Sequence, residues 1–106
     1  MALKDKECIP CRGGVPPLTE REIEPFIKEL ADWQVIEGKK IRKEIKFDDF
    51  AQSMEMANRI AELAEREGHH PDLLVRWGEL VIEIWTHKVD GLTESDFILA
   101  AKIDDL

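Results

Sequence analysis

The stretch GHHPDLLVRWGELVIEIWTH, Gly68–His87, decides the fold and marks where chemistry is expected. Gly68 stands where a left-handed C-terminal helix cap belongs. His69-His70-Pro71 then forms an exit loop, and the residue before a proline is pushed toward extended geometry, which restricts His70. Two strands follow, Leu73–Trp77 and Leu80–His87, joined across Gly78-Glu79. In the second, Leu80, Ile82, Ile84 and Thr86 alternate with Val81, Glu83, Trp85 and His87, so the two sets face opposite sides of a sheet. Nearly every position but Glu83 is apolar or aromatic up to the histidine. Such a strand is expected at the centre of a sheet, with His87 at its far end beside an open pocket.

Upstream of Gly68 the spacing predicts a long helix from Asp48 or Asp49, a good N-cap, to Glu67. Its apolar stripe is read as Phe50, Met54, Ala57, Ala61 and Ala64, broadened by Met56, Ile60 and Leu63. This stripe is read as core packing, because small side chains let a helix sit close to a sheet. Before it lie two strand candidates, Trp33–Glu37 and Ile41–Phe47, and Gly38 in the short connection marks a hairpin. In the second, Ile41, Lys43, Ile45 and Phe47 share one face, and Arg42, Glu44 and Lys46 share the wet one. Further upstream Thr19-Glu20-Arg21-Glu22 is a capping box, opening a helix with Ile23, Phe26, Ile27 and Leu30 on one face. Pro25 strains that helix unless it lies in the first turns.

Downstream, a last helix starts at Thr93, with Asp96 in the third-residue capping position and Phe97, Ile98, Ala101 and Ile103 as apolar positions. The order helix, two strands, helix, two strands, helix predicts one α+β domain over residues 19–106. It has a four-stranded antiparallel sheet with three helices on one face. Residues 1–18 read as an N-terminal arm.

Its 106 residues allow one core without metal or disulfide staples. A formal net charge of −8 disfavours nucleic acid as a partner, since phosphates would repel it. Charged residues make up 36%, against about 25% in average domains. That excess fits a highly soluble surface. No apolar run reaches the roughly 20 residues of a membrane span, and no signal-peptide stretch opens the chain, so no membrane partner and a cytoplasmic location are expected. Cys8 and Cys11 form a lone CxxC followed by glycines and prolines. Thioredoxin-like chemistry wants such a pair at a helix start, and structural zinc wants four ligands. The arm is therefore read as mobile or loosely docked, with two reduced thiols, and removal of Met1 to Val15 is expected to leave activity largely unchanged.

All three histidines, His69, His70 and His87, fall in this one region. Histidine is the side chain whose ordinary pKa, about 6.5, lies near neutrality. Three idle surface histidines would be one reading, but the clustering argues against it. A three-histidine zinc site is another, although adjacent residues point apart and no third ligand arrives at helical spacing. Metal-free acid–base catalysis remains, and it needs carboxylates to orient the rings. Glu65 and Asp96 are candidates for that role.

The ordered set Glu65, His69-His70-Pro71, Trp77, Thr86-His87 and Asp96 resembles the signature of the pterin-4a-carbinolamine dehydratases. Outside the arm the resemblance extends along nearly the whole chain, through Trp33, Phe47-Asp48-Asp49-Phe50, Ala64-Glu65 and Gly91-Leu92-Thr93 to Asp96. It implies a hydro-lyase removing water from a 4a-hydroxytetrahydropterin, with neither metal nor cofactor, in small α+β subunits forming a homodimer or homotetramer. It implies further that His69 and His87 are the acid–base pair, that His70 orients the pterin, and that Pro71 fixes the loop. Trp77 would be a flat pocket wall, with Thr86 supporting the site. Gly68 and Leu73 stand where relatives often carry an acidic and an aromatic residue, and Trp77 fills a tyrosine-like position. These departures bear on pterin side-chain preference and leave the proton chemistry intact. A related enzyme acting in molybdopterin metabolism, or a dimerisation factor for a transcription regulator, would show the same residues.

Overall fold

The computed structural model describes residues 2–8 and 16–106, so Cys11 lies outside the described residues. The elements are α1 (Glu20–Ile27), β1 (Gln34–Ile36), β2 (Lys40–Lys46), α2 (Phe50–Glu67), β3 (Asp72–Arg76), β4 (Glu79–Ile84) and α3 (Glu94–Asp104). The strands form one antiparallel sheet in the order β1-β2-β4-β3. The expected α+β architecture is present, and β4 is central as its apolar pattern required.

Alternation explains the two faces of this sheet. Ile41 of β2 and Leu80, Ile82 and Ile84 of β4 are fully buried under the helices, together with Ile60, Phe97 and Leu99. Lys43 shares that covered face. Its stem runs through the core boundary and its ammonium reaches Asp104 at 2.7 Å, the usual solution for a long cationic side chain beside apolar surface. The other face is uncovered and charged. There Arg42 lies opposite Glu83 and Lys46 opposite Glu79, each pair joined by a salt bridge.

Caps set the helix ends. Thr19 and Glu22 close the capping box of α1, which leans on α3 through the stacked rings of Phe26 and Phe97. Asp49 caps α2 by accepting from the Gln52 amide at 2.8 Å, and Gly68 ends it in the left-handed conformation at φ 68°. The buried line of α2 keeps Ala57, Ile60, Leu63 and Ala64 of the expected stripe, adds Ser53, and leaves Phe50, Met54 and Ala61 exposed. A serine can face the core here because its hydroxyl meets the Asp49 carbonyl at 3.4 Å, within its own helix.

The described part of the arm is seated, contrary to the expectation of loose docking. A short 3-10 turn at Leu3–Asp5 buries Leu3 in the common core. Lys6 reaches Glu94 at 2.7 Å. Pro17 and Leu18 lie against the loop before α3. Leu18 donates its amide to the Leu92 carbonyl at 2.8 Å. Pro17 packs so close to Gly91 that a Cβ there would sit 2.5 Å from the proline Cβ.

Candidate active site

The C-terminus of α2, the N-terminus of α3 and the end of β4 meet at one edge of the domain. The αL turn at Gly68 directs the chain out of α2 so that His69 faces the first turn of α3. The β4 ladder stops at Ile84, earlier than the expected His87, and His87 instead opens a 3-10 turn, His87–Val89. That turn is closed by a bridge between Thr86 and Gly91. His69, His70 and His87 thereby line one cleft of about 360 Å³, with Gly68, Trp85, Thr86 and Lys88. This lies at the lower end of the volume range of small-molecule sites.

Asp96 organises the cleft from below. It is fully buried and sits in the α3 capping box with Thr93. One carboxylate oxygen lies 2.6 Å from His69 Nε2. The other accepts from the Thr86 hydroxyl and from the Thr93 amide, each at 2.8 Å. A carboxylate only accepts hydrogen bonds, so His69 Nε2 carries the proton in this pair and Nδ1 is left for other work. Thr86 is itself buried and its hydroxyl also meets that of Thr93 at 3.0 Å. Every polar atom at the base of the cleft is thus satisfied, which fixes the His69 ring plane.

His70 is held differently. Its Nε2 lies 2.5 Å from Glu65, and both side chains are largely exposed. Such a pair adds little stability, but it orients the ring at the rim. The two adjacent histidines engage different carboxylates, which is why they point apart. His87 stacks on Trp85 with ring centroids 4.6 Å apart and planes at 24°. Lys40 lies over the same indole at 4.7 Å and is tied to Glu83 at 3.1 Å.

Of the residues expected at the site, Glu65, His69, His70, Thr86, His87 and Asp96 converge, and Pro71 follows the pair in the loop. Trp77 does not join them. It is 74% exposed in the β3–β4 turn, at the opposite end of the six-residue β4, a separation of about 20 Å at strand rise. The aromatic wall of the cleft is Trp85. Its place two residues before His87 in the sequence was the available signal, although both residues lie past the end of β4. Lys88 was also missed and carries no comparable signal. A larger hollow, about 540 Å³, lies on the uncovered sheet face. Its Arg42, Lys46, Arg76, Glu79 and Glu83 are already paired with one another, and it contains no histidine or cysteine. Among the described residues no group of three or more His, Cys, Asp or Glu is disposed to hold a metal ion, and no helix is long and apolar enough to cross a membrane.

Comparison with known proteins follows the same lines. The family model for pterin 4 alpha carbinolamine dehydratase matches residues 16–106. A Rickettsia bellii protein named "putative pterin-4-alpha-carbinolamine dehydratase" is 61% identical over 104 residues, spanning 97% of this chain and 92% of its own. A Rubrobacter xylanophilus protein of the same name is 47% identical, spanning 98% and 97%. A Brucella melitensis crystal structure described as a transcriptional coactivator/pterin dehydratase superimposes with a TM-score of 0.77. The two share 30% identity over 84% of this chain and 96% of that one.

Proposed function

The chain belongs to the pterin 4 alpha carbinolamine dehydratase family, and we propose that its three-histidine cleft converts a 4a-hydroxytetrahydropterin to the quinonoid dihydropterin by metal-free acid–base catalysis. The observation that carries this reading is the convergence of His69, His70 and His87 on one cleft, with His69 seated on the buried Asp96. Dehydration breaks the C4a–oxygen bond and forms a double bond from C4a to the adjacent ring nitrogen. One proton goes to the departing hydroxyl and one leaves that nitrogen, so the protein's proton count is unchanged over a cycle. Two imidazoles can share this work because their ordinary pKa lies near working pH.

In this scheme His69, held through Nε2 by Asp96, exchanges its proton through Nδ1. His87, stacked on Trp85, serves the other transfer. His70 orients the pterin at the rim, with Glu65 holding the ring and Pro71 stiffening the loop. Thr86 and Asp96 act through His69 and are positioning residues. Metal-free chemistry is supported by the division of His69 and His70 between two separate carboxylates, which turns their Nε2 atoms away from a shared ion. The expected assembly is a homodimer or homotetramer.

The deciding experiment is a dehydratase assay on synthetic 4a-carbinolamine with chelator-treated protein. Turnover should survive stripping. His69→Ala and His87→Ala should each lower kcat by roughly a hundred- to ten-thousand-fold, the usual worth of general acid–base catalysis. Near-normal kcat in both variants, or activity that returns only with stoichiometric metal at His69 or His87, would overturn the reading.

A further inference from the structure

The chemistry of the cleft gives the CxxC arm no role, yet the first cysteine of that arm is seated behind the cleft. The Cys8 amide donates to Glu67 Oε1 at 3.2 Å, and its thiol donates to the Ser95 carbonyl at 3.6 Å. Glu67 is the last residue of α2, two before His69. Ser95 immediately precedes Asp96 in the first turn of α3. Cys8 therefore bridges the same two helix ends whose tips carry the His69–Asp96 hydrogen bond.

The bridge is one end of a longer seat along α3. Leu3 is 2% exposed in the core, and Lys4 lies 3.4 Å from Asp105 at the far end of that helix. Lys6 pairs with Glu94 at its near end. Lys102 donates to the Lys4 carbonyl at 3.0 Å and lies 3.8 Å from Glu67. Glu67 gains from this arrangement, because a carboxylate at a helix C-terminus meets the negative end of the macrodipole. The Cys8 amide and the Lys102 ammonium supply the compensation. Burial and the Glu67 carboxylate keep the thiol neutral, so it acts as a donor and not as a nucleophile.

We infer that the N-terminal arm is a positioning element of the site, in which Cys8 and Glu67 clamp the end of α2 against the start of α3 and so hold His69 in register with Asp96. This rests on the proposed role of His69 for its kinetic consequence, but its structural consequence can be read independently. Displacements near 1 Å can cost up to about a hundred-fold in rate, so a strap of this kind matters even without touching substrate.

The test uses the full chain with Glu67→Ala, Glu67→Gln and Cys8→Ala. Glu67→Gln keeps an oxygen for the Cys8 amide and is the conservative control. Glu67→Ala should lower kcat roughly three- to thirty-fold with KM changed less than about two-fold, and Glu67→Gln should restore most of it. Proton NMR supplies the independent measure. Exchange of the His69 Nε2 proton with solvent should quicken several-fold in Glu67→Ala and Cys8→Ala, and stay close to wild type in Glu67→Gln. If the wild-type protein proves inactive on the carbinolamine, the proposed function fails while the exchange measurement still decides the strap. Unchanged kcat and unchanged His69 exchange in folded Glu67→Ala and Cys8→Ala overturn it. So does a lowered Tm with both of those readings intact, since the arm would then be a stabiliser only.

Discussion

Asp96 holds three donors at once, from His69, Thr86 and Thr93, so its removal is felt in both stability and chemistry. Asp96→Ala strands those donors in a buried place, each at about 1–3 kcal/mol, and should lower Tm measurably as well as kcat. Asp96→Asn keeps the volume but sets an amide where only acceptors fit, so kcat should fall more than Tm. A kcat that stays near wild type in both variants while Tm falls would contradict the orienting role. His70→Ala should raise KM with kcat less affected, because its partner Glu65 is exposed and its role is to hold substrate. Cys8 gives a further prediction at this scale. Its thiol is pushed from 9.0 to about 12, by burial first and by Glu67 second. Only the thiolate reacts. In a Cys11→Ser background, alkylation at pH 8 should therefore run roughly a hundred- to thousand-fold slower in the native than in the unfolded chain. Part of this residue-level layout is legible in sequence: clustering picks out the histidines, while Glu65 and Asp96 stand there only as candidate carboxylates and as members of the set that resembles the family signature. Trp77 misleads because sequence order does not tell which end of a strand a tryptophan occupies, whereas Trp85 stands two residues from His87 and stacks on it just past the end of β4.

At the scale of elements, two glycines restrict the site for different physical reasons. Gly68 is in the left-handed region with open space where a Cβ would project, so the penalty for Gly68→Ala is conformational, about 1–2 kcal/mol. Gly68→Asn should recover part of it, since asparagine tolerates that geometry. Gly91 has no such backbone demand. Its constraint is Pro17, whose Cβ lies 2.5 Å from the point a Cβ at position 91 would occupy. Gly91→Ala must therefore push the arm or the Thr86–Gly91 bridge aside at about 1–3 kcal/mol. Denaturant melts of the three variants, with Gly91→Asn beside them, check the difference: only at position 68 should asparagine outperform alanine. Strand and helix order are readable from periodicity and caps, including Thr19, Asp49, Gly68 and Thr93. The buried face of α2 is readable from Ala57 to Ala64 but not in its first turns, because hydropathy favours Phe50 and Met54 over Ser53. A serine that bonds its own helix backbone is silent in an apolar pattern.

For the whole molecule, the helices close one sheet face and leave the other to charge pairs, and this sets the response to acid. Lys46 lowers the Glu79 carboxyl below its ordinary 4.5, first by hydrogen bonding, against a smaller opposing effect of burial. For Glu83, burial pushes upward most, but hydrogen bonds and charge from Arg42 and Lys40 together outweigh it and leave the carboxyl lowered. A carboxyl lowered in the folded state adds stability above its unfolded pKa and loses it as pH falls through the folded value. The contribution of these two carboxyls should therefore be level from neutrality down to about pH 4.5 and then decline. Glu83→Gln should be less stable than wild type near neutral pH and should converge on it in acid. Added salt should erase the Glu79 contribution sooner than that of Glu83, because its Lys46 partner is 77% exposed, against 34% and 26% for Arg42 and Lys40 beside Glu83. Urea melts at several pH values and two ionic strengths measure both effects. Wild-type and Glu83→Gln curves that run parallel from pH 7 to pH 3 would show that these pairs do not couple folding to acid, and the open face would then owe its charges to solubility alone.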